Sequence, residues 1–191
     1  RDLMEDAAIA YGYHNITPEL VPTMTVGGER PIETVSDAAR ETLCGLGYFE
    51  VMTLVLSCEE KSYDALRLPR SEDHVQLKHP ISAEQTMIRT SLMPGLLDTL
   101  AVNSHREYPQ HLFEVGEATE LDETCDTGAQ ERRLVAAAVA GEGVGVTQVR
   151  AAAEALLREY GWQIRTEDQE LPQCMVGRGG RIVAVQDGQE R

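Results

Sequence analysis

Apolar residues recur at helical spacing in several stretches of the chain. From Asp2 to Tyr13, Leu3, Ala7, Ala10 and Tyr11 share one side, and Gly12 is placed to stop the helix. Thr17–Gly28 carries Pro18, Pro22, Gly27 and Gly28 and reads as a connection. Pro31 then opens a helix, because its fixed φ suits a first turn; Ile32, Val35, Ala39, Leu43 and Leu46 line one face, and Gly47 ends it. Glu50–Leu56 follows, β-rich and apolar on both faces, the pattern of a strand inside a sheet covered on both sides. A short helix is expected at Glu59–Leu66 and a strand at Val75–Leu77. A further helix is expected at Pro94–His105, with Leu96, Leu97, Leu100 and Val102 inward. His111–Val115 and Leu134–Ala140 read as strands joined by a polar connection, Gly116–Glu131. Val146–Tyr160 is a long helix with Val149, Ala152, Ala153, Leu156 and Leu157 along its apolar side. Trp162–Thr166, Cys174–Val176 and Arg181–Val185 are expected strands, and Asp187–Gly188 is a hairpin turn signal whose second strand the pattern does not supply. Helices flanking a mixed, mostly antiparallel sheet define an α+β fold.

Length and charge narrow the class. The 191 residues suit one domain with at most a small second piece, and the best boundary lies at residues 17–30, between a short N-terminal piece (1–16) and a main domain (31–191). The start at Arg1, without a charged-then-apolar leader, reads as a piece of a longer product with no sign of secretion. No run approaches the ~18 apolar residues of a membrane helix, so a cytoplasmic location without membrane contact is expected. Net charge is −15, and Lys61 and Lys78 are the only lysines among 17 basic residues. Such a surface repels phosphate backbones, which disfavours direct nucleic-acid binding. Lysine depletion combined with an acidic excess suits molar salt, where charge repulsion is screened, and points to a halophilic archaeon. Cys44, Cys58, Cys125 and Cys174 are scattered, form no CxxC pair and make no zinc spacing with the five histidines.

Candidate chemistry is sparse. Asp2, Glu5 and Asp6 fall at i, i+3 and i+4 of the first helix, gathering three hard oxygen donors of the kind that suit Mg²⁺. Acidic residues in a first turn also simply favour the helix dipole. Arg89 and Arg106 are conceivable phosphate binders, although Arg89 reads better as the anchor of the Thr90–Gly95 turn. GRGGR at 177–181 lacks the strand-loop-helix context of a phosphate cradle and reads as a turn with a charged rim. Ser82 and Ser91 have no histidine and carboxylate placed to activate them.

Five runs carry a resemblance: RDLMEDAAIAYGYHNI (1–16), AARETLCGLGYFEVMTLVL (38–56), HPISAEQTMIRTSLMPGLLDTLAVN (79–103), LFEVGEATELDETCDTGAQERRLVAAAVAG (112–141) and, more weakly, MVGRGGRIVAV (175–185). They resemble, in order, the archaeal and eukaryotic type of phenylalanyl-tRNA synthetase β subunit; RTSLMPGLL followed by LFEVGE at this separation is the specific signature. The resemblance implies a class II synthetase-like fold that is a degenerate, non-catalytic copy of the catalytic domain. It also implies a partner α subunit that binds ATP and makes phenylalanyl-tRNA, an (αβ)2 heterotetramer, and tRNA(Phe) engaged through the full enzyme. Residues 1–16 then correspond to the end of a small preceding domain, and Asp2, Glu5 and Asp6 fall on Mg²⁺ ligand positions at the junction with α, one further family aspartate lying upstream of Arg1. The short Arg106–Pro109 stretch before Leu112 carries no Arg-x-Glu on a strand, so the phosphate-binding arginine of a working class II domain is missing there. The expected docking surface for α is the helix face with Ile32, Val35 and Leu43, together with Arg89, Thr90, Ser91, Leu92 and Pro94. The competing reading is a stand-alone or regulatory synthetase-like ligase binding ATP and an amino acid.

Overall fold

A computed structural model describes residues 1–22, 26–186 and 189–190. Helix α1 (Asp2–Tyr11) ends at Gly12, whose φ of 94° favours glycine, and it buries none of its residues. Helix α2 (Pro31–Gly45) starts with proline in its first turn and buries Ser36, Ala39 and Leu43. Ile32, Val35 and Leu46 of the same apolar face stay 41–46% exposed, so only the middle of that face meets the interior.

Strand β1 (Phe49–Glu50) runs parallel to β4 (Gln110–Leu121), pairing Phe49 with Leu112. Strand β5 (Ala129–Ala140) runs antiparallel along all of β4, completing the sheet order β1-β4-β5. Alternation along β4 separates two faces. Phe113 and Val115 pack with Ala39, Leu43, Tyr48 and Ala152 into the core under α2 and α4 (Val146–Glu159). Glu114 and Gly116 face the other way, towards Arg89 and Leu92. A small antiparallel pair, β2 (Leu56–Ser57) with β3 (Met87–Ile88), delivers Arg89 to that second face, and α3 (Met93–Val102) follows directly. The chain ends in an antiparallel sheet of β6 (Gln163–Asp168), β7 (Gly180–Gln186) and β8 (Gln189–Glu190). Among the described residues no helix is long and apolar enough to cross a membrane.

Several expectations are corrected. The strand expected at Glu50–Leu56 breaks into β1 and β2 around an irregular stretch, because the Thr53 amide donates to the Glu114 carboxylate (3.3 Å) rather than to a strand partner. Nor is it covered on both sides: Phe49, Met52, Leu54 and Val55 are 74%, 94%, 61% and 45% exposed. The expected Gly116–Glu131 connection is mostly ladder, since Ala118 and Thr119 turn inward while Glu117 stays in solvent; polar residues on a wet face read as loop. Leu97 and Val102 point away from the interior, because only one side of α3 (Leu96, fully buried) meets the rest of the chain. Glu60–Asp64 forms one π-helical turn, and Val75–Leu77 contributes only the bridge Gln76–Met87. Cys174–Val176 is a turn, with the Cys174 amide donating to the Leu171 carbonyl. A second strand, β8, does follow β7, pairing Gln189 with Gln186; the Asp187–Gly188 turn lies outside the described residues.

Candidate functional site

The most built-up polar group lies on the sheet face opposite the main core. Arg89 emerges from β3 with its backbone held on both sides: its amide donates to the Val55 carbonyl (2.9 Å) and its carbonyl accepts from the Thr119 amide (3.0 Å). Its guanidinium donates from Nη1 to Glu114 Oε1 (2.7 Å) and Thr53 Oγ1 (2.9 Å), and from Nε to the Glu117 carbonyl (2.8 Å). Thr53 in turn donates its hydroxyl to Glu114 Oε2 (2.6 Å). The pair is almost dry, with the Arg89 and Glu114 side chains 6% and 2% exposed. Gly116 leaves room for it: a Cβ there would sit 3.0 Å from Glu114 Oε1 and 3.2 Å from Leu92 Cδ2. Arg89 therefore anchors residue 53 and β4; the Thr90–Gly95 turn is held instead by Ser91 Oγ, which accepts from the Met93 amide (3.2 Å).

Beside this pair lies a cleft of about 320 Å³ lined by Leu54, Leu56, Lys61, Glu84, Arg89 and Asp98, among others. Lys61 Nζ is 3.2 Å from Asp98 and 3.7 Å from Glu84, and the Asp98 carboxylate foremost pushes the ammonium pKa up. Both cations facing the cleft thus already have carboxylate partners, so neither is set out to receive a phosphate. Ser91 accepts a hydrogen bond within its turn, and Ser82 stands exposed at the surface.

The other sequence candidates fall in different places. Asp2, Glu5 and Asp6 sit on α1 as the spacing requires, but among the described residues no group of three histidine, cysteine or carboxylate side chains converges enough to hold a metal ion. The residues present do not form a magnesium cage by themselves. GRGGR runs from a turn, with Gly177 at φ 70°, into Gly180 and Arg181, the first two residues of β7. Of the docking candidates, Ile32 and Val35 are exposed and Thr90 and Ser91 are half-buried. Leu43, Leu92, Arg89 and Pro94 are interior to this chain. The exposed apolar run through Phe49, Met52, Leu54 and Val55 was not among those candidates, although its two-sided apolar pattern was the signal that something must cover it.

This arrangement of helices and mixed sheets is that of solved tRNA synthetases. Pyrrolysyl-tRNA synthetase from Desulfitobacterium hafniense superposes with a TM-score of 0.64, at 14% identity, over 84% of this chain and 56% of that one. A second structure of that organism's enzyme gives 0.62 over 84% and 57%. The fold is therefore of the class II tRNA-synthetase type. Within that class, the chain belongs to the family described as the phenylalanyl tRNA synthetase beta chain CLM domain, whose family model matches residues 16–190. It is 37% identical over 183 residues to the phenylalanine–tRNA ligase beta subunit of Pyrococcus horikoshii, covering 96% of this chain and 33% of that protein. It is 38% identical over 192 residues to that of Methanopyrus kandleri, covering 99% and 32%. The chain spans about a third of the length of the curated relatives it matches.

Proposed function

We propose that this chain is the part of a phenylalanine–tRNA ligase β subunit that docks the catalytic α subunit and supports its active site, without catalysing a step itself. The observation that carries the reading is the run Phe49–Val55. It is apolar on both faces, as an interior strand would be, yet Phe49, Met52 and Leu54 stand 61–94% exposed. Burying a Phe, Met or Leu side chain is worth about 1.5–3 kcal/mol each, so this run is matched to a partner surface. Ile32 and Val35 at the start of α2, also exposed, form a second contact in this reading; Leu43, Leu92 and Pro94 are buried within the chain rather than touching the partner.

The paired arginine on the second sheet face fits the same reading. Transition-state charge on a phosphate is met by preorganised cations aimed at the position where it develops. Arg89 is instead locked onto Glu114, Thr53 and the Glu117 carbonyl, which also weighs against a stand-alone ligase that binds ATP and an amino acid. In this account ATP, phenylalanine and Mg²⁺ act on the α subunit, tRNA(Phe) is engaged by the full enzyme, and the assembly is a cytoplasmic (αβ)2 heterotetramer. Residues 1–16 end a preceding domain, 17–30 link, and 31–191 form the synthetase-like unit; Asp2, Glu5 and Asp6 contribute to a magnesium site only when carboxylates from outside residues 1–191 complete it. The acidic, lysine-poor surface is that of a halophilic archaeon.

Co-purification of the full-length β polypeptide with the α subunit of the same organism, in molar KCl and followed by light scattering, tests the reading. A stable complex with the mass of two αβ pairs is expected. Separate elution of the two polypeptides contradicts it.

A further inference from the structure

The cations of this acidic chain are mostly spoken for: Arg40, Lys61, Arg70, Arg89, Arg132, Arg133 and others each hold a carboxylate. Among the described residues Arg106, like Arg1, Arg67, Arg150, Arg178 and Arg181, pairs with no carboxylate, although the chain carries 32 acidic residues. Arg106 lines an open hollow of about 580 Å³ together with Phe49, His105, Glu107, Gln110 and His111, between the end of α3 and the start of β4; Glu107 shares the hollow but forms no ion pair with Arg106. The hollow has a firm wall, because His111 stacks on the buried Tyr48 with ring centroids 5.0 Å apart and 27° between planes. Its apolar side is the Phe49 ring, 74% exposed, with Tyr108 51% exposed nearby in the chain.

We propose that Arg106 is the electrostatic anchor of the docking surface, receiving a carboxylate of the partner subunit into the hollow beside Phe49. The inference rests on the docking role proposed above and adds where, and by what chemistry, the surface is keyed. Phe49 belongs at once to the hollow and to the exposed apolar run, so Arg106 lies at the end of that run. Protein interfaces combine an apolar centre with a polar rim and are enriched in arginine and aromatic residues. A guanidinium beside an apolar ring offers a planar donor fork that matches a carboxylate. An RNA phosphate has the same charge, but the net charge of −15 on the chain opposes a polyanion far more than a single carboxylate embedded in a protein surface.

The test uses the full-length β polypeptide and the α subunit of the same organism, with the dissociation constant measured in about 0.2 M and about 2 M KCl, where screening differs severalfold. Arg106→Ala is expected to weaken association about tenfold in the lower salt and by much less in the higher, and Arg106→Glu to weaken it further. Arg106→Lys retains part of the affinity, and Arg150→Ala, on the exposed face of α4, changes nothing. Unaltered melting temperatures of these surface variants show that folding is not the cause. If Arg106→Ala stays within about twofold of wild type while Met52→Asp and Leu54→Asp abolish association, the docking role stands and the anchor is refuted. If Met52→Asp and Leu54→Asp also bind normally, the docking role has failed and the anchor fails with it. If Arg106→Ala weakens binding of a tRNA(Phe) transcript but leaves the subunit affinity unchanged, the hollow belongs to RNA and the proposal is overturned.

Discussion

Truncating Glu114 to alanine is the most informative single perturbation of the fold. Its carboxylate is 2% exposed and satisfies Arg89 Nη1 at 2.7 Å, the Thr53 hydroxyl at 2.6 Å and the Thr53 amide at 3.3 Å. Removing it leaves a guanidinium that is only 6% exposed without its counter-charge. Breaking one side of a buried pair costs about 3–5 kcal/mol, because the orphaned charge stays desolvated. For a chain whose total stability is on the order of 5–15 kcal/mol, that is a large share but leaves a measurable folded state. With a urea m-value of about 2 kcal/mol/M, the unfolding midpoint of Glu114→Ala falls by about 1.5–2.5 M. Replacing both partners, as Arg89→Met with Glu114→Leu, leaves no buried charge and recovers most of the loss, so the double variant is far more stable than the sum of the singles requires. Equilibrium urea unfolding followed by circular dichroism reads both numbers. A cost below about 1 kcal/mol for Glu114→Ala, or additive singles, would refute the claim that the pair is a coupled, dry unit.

Leu43→Ala, at a side chain only 1% exposed, is expected to cost about 2–5 kcal/mol in thermal or urea unfolding, whereas Val35→Asp on the same helix face, 46% exposed, stays within about 0.5 kcal/mol and instead weakens subunit association. Gly95→Ala directs its new methyl at the Thr53 side chain, with Thr53 Cβ 2.8 Å away; overpacking there costs about 1–3 kcal/mol and shows as a lowered melting temperature, while Gly45→Ala, with open space around it, does not. The Glu33 carboxyl is held below its ordinary 4.5 by hydrogen bonding to Arg133 first and then Arg30. A carboxyl whose pKa is lower folded than unfolded stabilises above the unfolded value and loses that contribution as pH falls through the folded one. Stability should therefore decline with acid below about pH 4.5, and in Arg133→Gln the Glu33 titration followed by NMR should move back up towards its ordinary value.

Helices α1 and α2 were legible in sequence because their boundaries are marked locally: Gly12 stops α1 and Pro31 opens α2. The far half of the β4–β5 ladder was hidden for the opposite reason. Its solvent-facing positions, such as Glu117 and Glu131, give it a loop-like composition, and only pairing over the full length reveals it. The break after β1 depends on a carboxylate 61 residues downstream, which no local pattern encodes. The same applies to the Arg89 cluster, whose members are 25 and 36 residues from their arginine; the residue was visible, its lock was not. Periodicity gave α2 one continuous apolar face, but it could not say that Leu43 points into this chain while Ile32 and Val35 stay exposed. Spacing likewise placed Asp2, Glu5 and Asp6 on one helix, whereas convergence on an ion depends on side-chain directions and on neighbours that α1 does not have within the described residues.

Amide hydrogen exchange across residues 49–56 and 31–36, measured on the β polypeptide alone and in the presence of the α subunit, probes the central claim most directly. Strong added protection in both segments, with the surface loop 122–128 unchanged as an internal reference, is the predicted result. Equal exchange in the two states, in a preparation where α is demonstrably bound, would mean that the exposed apolar run is not the docking surface.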